Sequence, residues 1–419
     1  MSPTTHFSYR DSALHCEGVS LARLVDAVGT PAYVYSKAAM LESYGAYDAA
    51  FREVPHLICY ALKANSNLAV VATLAGVGAG ADIVSGGELQ RALRAGVPPK
   101  KIIFSGVGKT RDEMRDALKA DILMFNVESL SELRVLDEIA REMGARAPVA
   151  LRVNPDVDPL THSYVATGLK TSKFGIPYTQ ALAAYEEAAQ RPGLQVVGAQ
   201  MHIGSQLTKS APFADATARL GALVKTLRER RIEISMLDVG GGLGIRYRNE
   251  TPPSQAEYAT VLLPALRELG VTVLLEPGRS IVGNAGALLT RVLYHKATDA
   301  KNFVVVDAAM NDLIRPAFYD SYHEILPVAA PRAGATKEVA DVVGPICESG
   351  DFFARERELV QPEEGDLVAV MSAGAYGFVM ASNYNTRPRP VEVLVDGDHY
   401  TIVRRRETFE DLVAGETTV

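Results

Sequence analysis

The stretch that decides the fold is LICYALKANSN, residues 57–67. An apolar run of strand length, Leu57–Leu62, ends in Lys63, and a small polar turn follows at once. Burying an ammonium group is costly, so a lysine in this place either reaches water as a simple strand cap or points its amine into a site. A desolvated amine has a lowered pKa and suits Schiff-base chemistry with a carbonyl compound.

Strand-like runs and helical patterns alternate from this stretch onward. The eight runs are Leu57–Leu62, Ala81–Val84, Lys101–Phe104, Ile122–Val127, Val149–Val153, Val196–Met201, Ser235–Val239 and Thr272–Leu275. Three of the intervening helices open with the capping-box signature, a Ser or Thr followed three residues later by Glu: Ser85 and Glu88, Thr110 and Glu113, Ser129 and Glu132. Eight such units predict a (β/α)8 TIM-type barrel, an α/β fold. A doubly wound sheet is the alternative, but no complete Gly-x-Gly-x-x-Gly fingerprint follows a strand.

The pattern changes after about residue 281. Alternating apolar runs now have few helices between them: Phe303–Val306, Asp341–Ile346, Leu367–Met371, Val391–Val395 and Tyr400–Val403. Before the alternation begins at Leu57, the sequence predicts a helix near Leu21–Val28, a strand at Pro31–Ser36 and a helix at Lys37–Arg52. We therefore predict two domains, a barrel over residues 31–280 and a β-rich sandwich or barrel domain built from residues 1–30 and 281–419.

The composition of the chain argues against several classes of protein. A chain of 419 residues is too long for one small hydrophobic core. Its composition, 47% hydrophobic and 22% charged residues, indicates a folded globular protein. A net charge of −7 argues against nucleic-acid or anionic-membrane partners, and no apolar stretch is long enough to span a membrane. The first 16 residues lack the apolar core of a signal peptide. Three cysteines without a Cys-x-x-Cys pair favour a reducing cytoplasm and predict neither disulfides nor a metal site.

Polar and glycine-rich turns follow several barrel strands, where a barrel of this kind places its active site. His202 and Ser205 lie in the turn after the sixth run, Gly240–Gly244 after the seventh, and Glu276–Arg279 after the eighth. Glycines let backbone N–H groups close on a phosphate. Glu276 either pairs with Arg279 or holds the protonated nitrogen of a pyridoxal ring. His202 is either a satisfied core histidine or a residue for ring stacking and proton transfer.

Three further groups lie in the β-rich part. Arg315 and Tyr319 are four residues apart, either on a surface loop or as a fork for a substrate carboxylate. Cys347 and Glu348 sit in a loop bounded by Gly and Pro, where a thiol is exposed and reactive more readily than in a core. Tyr376 lies in a glycine turn, where its hydroxyl reaches a phosphate or its ring packs.

These motifs together resemble those of the diaminopimelate decarboxylases, pyridoxal-phosphate enzymes of the alanine-racemase-like class that also contains the eukaryotic-type ornithine decarboxylases. The resemblance runs from about residue 5 to about 415. Its six motifs, in order, are Tyr60–Asn67, His202–Gln206, Gly240–Gly242, Glu276–Arg279, Cys347–Asp351 and Ala375–Gly377. It implies that meso-2,6-diaminopimelate is decarboxylated to L-lysine and CO2, the last step of lysine biosynthesis, by a cytoplasmic homodimer.

The resemblance also implies residue roles. Lys63 carries the cofactor through a Schiff base, His202 stacks on its ring, and Cys347 donates the proton. The implied cofactor-binding residues are Lys63, His202, Ser205, Gly240, Gly241, Gly242, Glu276, Gly278, Arg279 and Tyr376. The implied substrate-binding residues are Arg279, Arg315, Tyr319, Glu348 and Tyr376. In this family Cys347 and Glu348 come from the partner subunit, which places the active sites at the dimer interface.

Three rival functions remain open at this point. A decarboxylase of the same class acting on ornithine, lysine, arginine or carboxynorspermidine is the nearest. The arginines at 279 and 315 favour a diacid over these substrates, and Glu348 favours a distal ammonium. A racemase would need a second base, for which no candidate is as good as Cys347. A cofactor carrier without catalysis would lack the β-rich domain.

Overall fold

A computed structural model describes residues 6–157, 173–331 and 334–419. Its strands are β1 (Phe7–Arg10), β2 (Ala13–Cys16), β3 (Val19–Ser20), β4 (Ala32–Ser36), β5 (His56–Ala61), β6 (Gly80–Ile83), β7 (Ile102–Phe104), β8 (Met124–Val127), β9 (Ala147–Asn154), β10 (Ile176–Pro177), β11 (Leu194–Gln200), β12 (Met236–Asp238), β13 (Thr272–Leu275), β14 (Gly286–Ala297), β15 (Asn302–Val306), β16 (Ile325–Pro327), β17 (Lys337–Val343), β18 (Phe352–Val360), β19 (Leu367–Val370), β20 (Val391–Asp396) and β21 (His399–Arg404). Its α-helices are α1 (Leu21–Val28), α2 (Lys37–Phe51), α3 (Leu68–Ala75), α4 (Gly86–Arg94), α5 (Arg111–Lys119), α6 (Leu130–Glu142), α7 (Tyr178–Gln190), α8 (Ala211–Glu229), α9 (Gln255–Leu269), α10 (Arg279–Val282), α11 (Arg315–Tyr319) and α12 (Phe409–Val413).

The chain divides into two compact units. The barrel unit comprises Leu41–Ile245 and Thr251–Ser280. The β-rich unit comprises the residues up to Met40, Arg246–Glu250 and Ile281–Val419. No helix in the described ranges is long and apolar enough to cross a membrane.

Eight parallel strands close the barrel in the order β5-β6-β7-β8-β9-β11-β12-β13. The ring closes where β13 pairs with β5, with Leu274 opposite Leu57, and β10 only extends β9. Each barrel strand is followed by a helix, α3 to α10 in turn. The TIM-type barrel predicted from the alternation is therefore confirmed, and closure excludes the doubly wound sheet.

The lower part of the barrel interior is apolar. Buried side chains from five strands pack as one cluster: Cys59, Ile103, Met124, Ala150 and Leu274. Residues from strands on opposite sides of a closed sheet meet only inside it, so this cluster fills the barrel. The barrel is thus a packed core that leaves its carboxyl-terminal mouth for chemistry.

The predicted helix caps form with one difference. Thr110 and Glu113 make the full reciprocal capping box at the start of α5. Ser85 and Ser129 accept from the backbone N–H of the glutamate three residues later, as expected. The Glu88 and Glu132 carboxylates, however, accept from Val84 N and Glu128 N, one residue before the cap. Each glutamate therefore ties the preceding strand end to its helix.

The β-rich unit contains one large sheet in the order β18-β17-β15-β14-β4-β20-β21, with β19 pairing β14 and β16, and a small sheet β1-β2-β3. The prediction began the barrel at residue 31, whereas β4 pairs with β14 and β20 and so belongs to this sheet. The predicted strands near β15, β17, β19, β20 and β21 are present. The twelve-residue β14, which joins several of them, is not anticipated by the sequence analysis.

Candidate active site

The barrel mouth is lined by polar side chains at or just after the ends of its strands. They are Lys63 after β5, Asp82 on β6, Ser105 after β7, Asn126 on β8, Arg152 on β9, Gln200 on β11, Asp238 on β12 and Glu276 after β13. All but Lys63 are buried. Because the strands are parallel, these side chains meet at one end of the barrel. Burying so many polar groups is unfavourable unless they pair or serve a ligand.

Lys63 lies in a single 3-10 turn, Leu62–Ala64, directly after β5. Its Nζ forms an ion pair with Oδ2 of the fully buried Asp82. The other oxygen, Asp82 Oδ1, has no hydrogen-bond partner in the described part of the chain. About a third of the Lys63 side chain remains exposed, 34%. The Lys63 amine therefore pairs with a buried carboxylate at the barrel mouth, and its side chain is partly exposed.

Glu276 is held by a network of neutral donors. Its Oε1 lies 3.3 Å from Ser105 Oγ, 3.3 Å from Asn126 Nδ2 and 3.2 Å from Gln200 Nε2. Asn126 Nδ2 also donates to Asp238 Oδ2 at 3.0 Å. One carboxylate oxygen thus collects several hydrogen bonds, which fixes the plane of the Glu276 carboxyl.

Glu276 and Asp238 form a pair of neighbouring buried acids, called the acid pair below. Burial, followed by the charges of Asp238 and Asp82, raises the pKa of Glu276 well above its usual range. Burial also raises the pKa of Asp238 to about 6. Two neighbouring buried carboxyls do not both ionise easily, because the negative charge of either one opposes ionisation of the other.

The turn after β12 approaches its neighbours too closely for any residue but glycine. Gly240 and Gly242 have φ of +71° and +109°. A Cβ on Gly241 would lie 2.2 Å from Glu276 O, and one on Gly242 would lie 2.2 Å from Gly204 O. On the neighbouring turn, a Cβ on Gly278 would lie 2.9 Å from Ala64 Cβ. The turns after β5, β11, β12 and β13 therefore converge into a backbone cradle at the mouth.

Two of the cradle N–H groups are already engaged. Gly240 N donates to Asp238 Oδ1 at 2.9 Å, and Gly241 N donates to His202 Nδ1 at 3.2 Å. Beside the cradle, Arg279 Nη2 donates to Ser205 Oγ at 3.1 Å. An arginine, a hydroxyl and a glycine turn in contact with one another form a setting for an anion such as phosphate.

His202 is a neutral imidazole in this setting. Because Nδ1 accepts from Gly241 N, the proton of the neutral ring is on Nε2. Burial, with the nearby charges of Arg152 and Lys63, lowers the pKa of His202 well below its usual value. An uncharged, fixed ring suits stacking better than acid catalysis.

Arg152 supports this side of the mouth. Its Nη1 pairs with Glu128 Oε1 at 2.7 Å, and the Glu128 Oε2 accepts from Gly175 N at 2.8 Å. The Arg152 guanidinium also lies 4.7 Å from the centre of the Phe174 ring and donates to His202 O. This buried ion pair links β8, β9 and the turn that carries His202.

In the β-rich unit, Arg315 begins α11 and is held between two tyrosine rings. The centroids of Tyr247 and Tyr319 lie 5.2 and 5.6 Å from its guanidinium carbon. Its Nη2 donates to Ser321 Oγ at 3.1 Å. The structure thus brings the predicted pair Arg315 and Tyr319 together and adds Tyr247 to it.

Cys347 and Glu348 lie on an ordered exposed loop. Cys347 is exposed, and its backbone N donates to Asn385 Oδ1 at 2.8 Å. Tyr384 Oη lies 3.5 Å from Glu348 Oε2. Asp351 fixes the base of the loop by accepting from Ile346 N at 2.7 Å. The thiol and carboxylate are therefore presented by a braced loop, as their sequence context predicts.

Tyr376 has a φ of +55°, an uncommon value for a tyrosine. It stands between two tightly packed glycines, since a Cβ on Gly374 would lie 1.9 Å from Val282 O and one on Gly377 would lie 2.4 Å from Ala373 O. Strain of this kind persists where the surroundings fix the residue, often at a ligand site.

Sequence reasoning missed several residues of the two groups. They are Asp82, Ser105, Asn126, Glu128, Arg152, Gln200, Asp238, Tyr247, Tyr384 and Asn385. For Asp82, Asn126 and Asp238 a signal is present, because each is the one polar residue of an otherwise apolar barrel strand. Tyr247, which packs on Arg315, and Asn385, which bonds the Cys347 backbone, are distant in sequence from these residues, and no local pattern marks them.

The barrel residues fit pyridoxal phosphate by their chemistry. Lys63 offers an amine for an aldehyde, and Ser205, Arg279 and the glycine cradle offer donors for a phosphate. Glu276 offers a buried carboxyl for a ring nitrogen. Buried acceptor oxygens on Asp82, Asn126 and Gln200 that lack partners in the described ranges leave capacity for further hydrogen bonds.

Comparison with known proteins also indicates a protein that uses pyridoxal phosphate. Residues 38–283 match the family described as "Pyridoxal-dependent decarboxylase, pyridoxal binding domain". The chain is 56% identical over 411 residues to the diaminopimelate decarboxylase of Pseudomonas aeruginosa, covering 98% of each chain. It is 52% identical to that of Vibrio cholerae, covering 99% of each. The Helicobacter pylori diaminopimelate decarboxylase complexed with L-lysine superposes with a TM-score of 0.91 at 42% identity, over 94% of this chain and 98% of that one.

Proposed function

Because the chain belongs to the diaminopimelate decarboxylases, within the pyridoxal-dependent decarboxylase family, we propose that it decarboxylates meso-diaminopimelate to L-lysine and CO2, the last step of lysine biosynthesis. It is a pyridoxal-phosphate-dependent carboxy-lyase. The observation that carries this function is the convergence of Lys63, Glu276 and the glycine cradle at one barrel mouth, in a chain so similar to known enzymes of this activity.

Pyridoxal phosphate, when bound, supplies an aldehyde that condenses with amines and a protonated ring that accepts the electron pair left by departing CO2. Lys63 Nζ would hold the aldehyde, and Asp82 would orient that amine through the ion pair between them. Glu276 would keep a proton on the ring nitrogen. His202 would stack against the ring, for which its neutral state is suitable.

The phosphate would be held by the cradle and its neighbours. The proposed donors are Ser205, the Gly240–Gly242 backbone, Gly278, Arg279 and Tyr376. Gly241 N already donates to His202 Nδ1, so phosphate and imidazole would compete for that N–H. Arg279 and Ser205 are in contact with each other, and a preorganised pair of donors lowers the entropy cost of binding an anion.

Substrate recognition would fall to Arg279, Arg315, Tyr319, Tyr376 and Glu348. Arg315, held by tyrosine rings and Ser321, presents a fixed guanidinium to a carboxylate. Glu348 would accept from the distal ammonium of the substrate. A diacid that carries a distal amine satisfies both groups, whereas ornithine or lysine lacks the second carboxylate.

Cys347 would complete the reaction by moving the proton from its Sγ to the carbon that has lost CO2. We propose that Cys347 and Glu348 act in the site of the partner subunit of a homodimer. Their exposure on a loop braced by Asn385 and Asp351 supports this assignment, because such a loop is ordered enough to enter another site. Three free cysteines, one of them exposed, also support a cytoplasmic location.

The test is CO2 release from meso-diaminopimelate by purified protein with pyridoxal phosphate, beside L-lysine, D-lysine, L-ornithine, D-ornithine and L-arginine. Release from diaminopimelate alone supports the proposal, and release only from a mono-carboxylate amino acid contradicts it. Cys347→Ala should bind cofactor normally but turn over far more slowly, and unchanged turnover would remove Cys347 as the proton donor. Sedimentation velocity tests the dimer, and mixing Lys63→Ala with Cys347→Ala should restore part of the activity if sites are shared.

A further inference from the structure

Asn126 is fully buried on β8, beneath the mouth. Its Nδ2 lies 3.0 Å from Ser105 Oγ, 3.0 Å from Asp238 Oδ2 and 3.3 Å from Glu276 Oε1. One amide group therefore stands between the two carboxyls of the acid pair. No motif in the sequence singles it out, and the mechanism above does not use it.

The orientation of this amide is fixed by its neighbours. Asn126 Oδ1 has no hydrogen-bond partner among the residues that the structure describes. Turning the amide over would place Oδ1 against Asp238 Oδ2 and Glu276 Oε1, where two acceptors meet, and would leave both carboxyls without this donor. The observed orientation is the one in which the N–H protons face the acids.

Asn126 also restricts how the acid pair can ionise. Glu276 faces the carboxyls of Asp238 on β12 and Asp82 on β6 and the amine of Lys63 after β5, and the Cys59 thiol and Tyr258 hydroxyl add to the buried titratable groups around it. With three carboxyls and one cation in this cluster, a neutral donor shared by two of the acids stabilises negative charge on either of them without adding a charge of its own.

We propose that Asn126 is a positioning residue: its amide ties one oxygen of Glu276 to Asp238 and so holds the Glu276 carboxyl in the orientation and charge state that protonates a pyridine nitrogen. The inference rests on the proposed function, since it concerns the carboxyl assigned to that nitrogen. Asn126 acts only through Glu276 and has no contact with substrate in this scheme.

The experiment uses full-length protein loaded with pyridoxal phosphate that carries ¹⁵N in the ring. The ¹⁵N chemical shift reports protonation of the ring nitrogen directly, and equilibrium dialysis gives the Kd of the cofactor. In the unsubstituted protein we expect a protonated nitrogen from about pH 6 to about pH 9. In Asn126→Leu we expect the nitrogen to lose its proton within that range and the cofactor Kd to rise about tenfold or more.

A double substitution tests whether Asn126 must donate to Glu276 or whether a hydrogen bond between positions 126 and 238 is enough. In Asn126→Asp with Asp238→Asn, the amide and carboxyl trade places, so the hydrogen bond between positions 126 and 238 is retained with its direction reversed. Position 126 then presents an acceptor to Glu276 Oε1. We expect the exchange to leave the ring nitrogen as perturbed as in Asn126→Leu. Restoration of the normal ¹⁵N shift would overturn the proposal, because pairing with position 238 would then suffice.

Controls keep the outcomes distinct. Thr217→Val removes a buried hydroxyl that bonds Phe213 O at 2.8 Å in α8, and should lower stability without moving the ¹⁵N shift. Should Asn126→Leu fail to fold, Asn126→Ala gives the same comparison, because alanine also lacks a side-chain donor. A normal shift and Kd in the position-126 variant refutes the inference alone. Failure of the unsubstituted protein to bind pyridoxal phosphate refutes the proposed function instead.

Discussion

Replacement of Gly241 by alanine tests whether the cradle depends on the contact between two turns. Gly241 does not have a positive φ, so alanine is compatible with its backbone conformation and the whole effect is steric. Its Cβ would lie 2.2 Å from Glu276 O, against an ordinary contact of at least 3.4 Å. The turns after β12 and β13 must therefore separate by about 1.2 Å, a shift large enough to disturb a preorganised site.

The free-energy cost of Gly241→Ala follows from that displacement. Forcing a methyl group into a packed site costs about 1–3 kcal/mol. If the separation is expressed in cofactor binding, the Kd of pyridoxal phosphate rises about 5- to 150-fold, at 1.4 kcal/mol for each factor of ten. Equilibrium dialysis measures this Kd, and urea unfolding of the cofactor-free protein measures the part expressed as lost stability.

Gly45→Ala is the matched control. Gly45 lies exposed within α2, and a Cβ there would have no atom within 4 Å. Alanine at this position should stabilise the protein by about 0.5–1 kcal/mol and leave the cofactor Kd unchanged. Gly241→Ala with both the Kd and the stability of the unsubstituted protein would refute the steric reasoning. Lost stability with an unchanged Kd would show that this turn lies outside the cofactor site.

Three further outcomes are expected. Arg152→Met leaves the Glu128 carboxylate buried without its cation. The free energy of unfolding, measured by urea titration, should therefore fall by about 3–5 kcal/mol. A loss below about 1 kcal/mol would mean that Glu128 is solvated or neutral. The pKa of His202 is lowered on folding, so the unfolded state binds more protons as pH falls below about 6.5 and stability declines there; His202→Gln should lose its share of that slope. Tyr247→Leu removes one ring from Arg315 and should raise KM for diaminopimelate about two- to fivefold at nearly constant kcat, whereas Tyr247→Phe should keep both values.

The barrel could be predicted from sequence because its strands are short apolar runs and three of its helices start with a local capping signal. Lys63, His202 and Glu276 could be located for the same reason, since each directly follows a run that the pattern identifies. The strand β14 could not, because its pairing with β4, β15 and β19 depends on distant residues.

The buried polar residues of the site also could not be predicted from sequence, and the reason is physical. Asn126 and Asp238 are 112 positions apart in sequence, and only closure of the barrel brings the amide to the carboxyl. A single polar residue in an apolar strand predicts that something unusual is buried there, but it does not name the partner. Asp82 is the clearest example. It lies on β6, and only the pairing of β6 with β5 brings it to Lys63, with which it forms an ion pair.

The place of β4 in its sheet sets an order of events during protein synthesis. Ala32–Ser36 leaves the ribosome early, yet it pairs in parallel with β20, whose residues Val391–Val395 are made about 355 positions later. At about 5–20 residues per second, this strand waits roughly 18 to 70 s for its neighbour, while every strand of the barrel is already available. Its other neighbour, β14, is made only from Gly286 onward, so a nascent chain carries β4 with both edges unpaired until then and with one edge unpaired until β20 is made. Ribosome-bound chains ending before residue 286 should be the ones that chaperones bind and proteases cut near Ala32–Ser36, and chains ending between β14 and β20 should be partly protected.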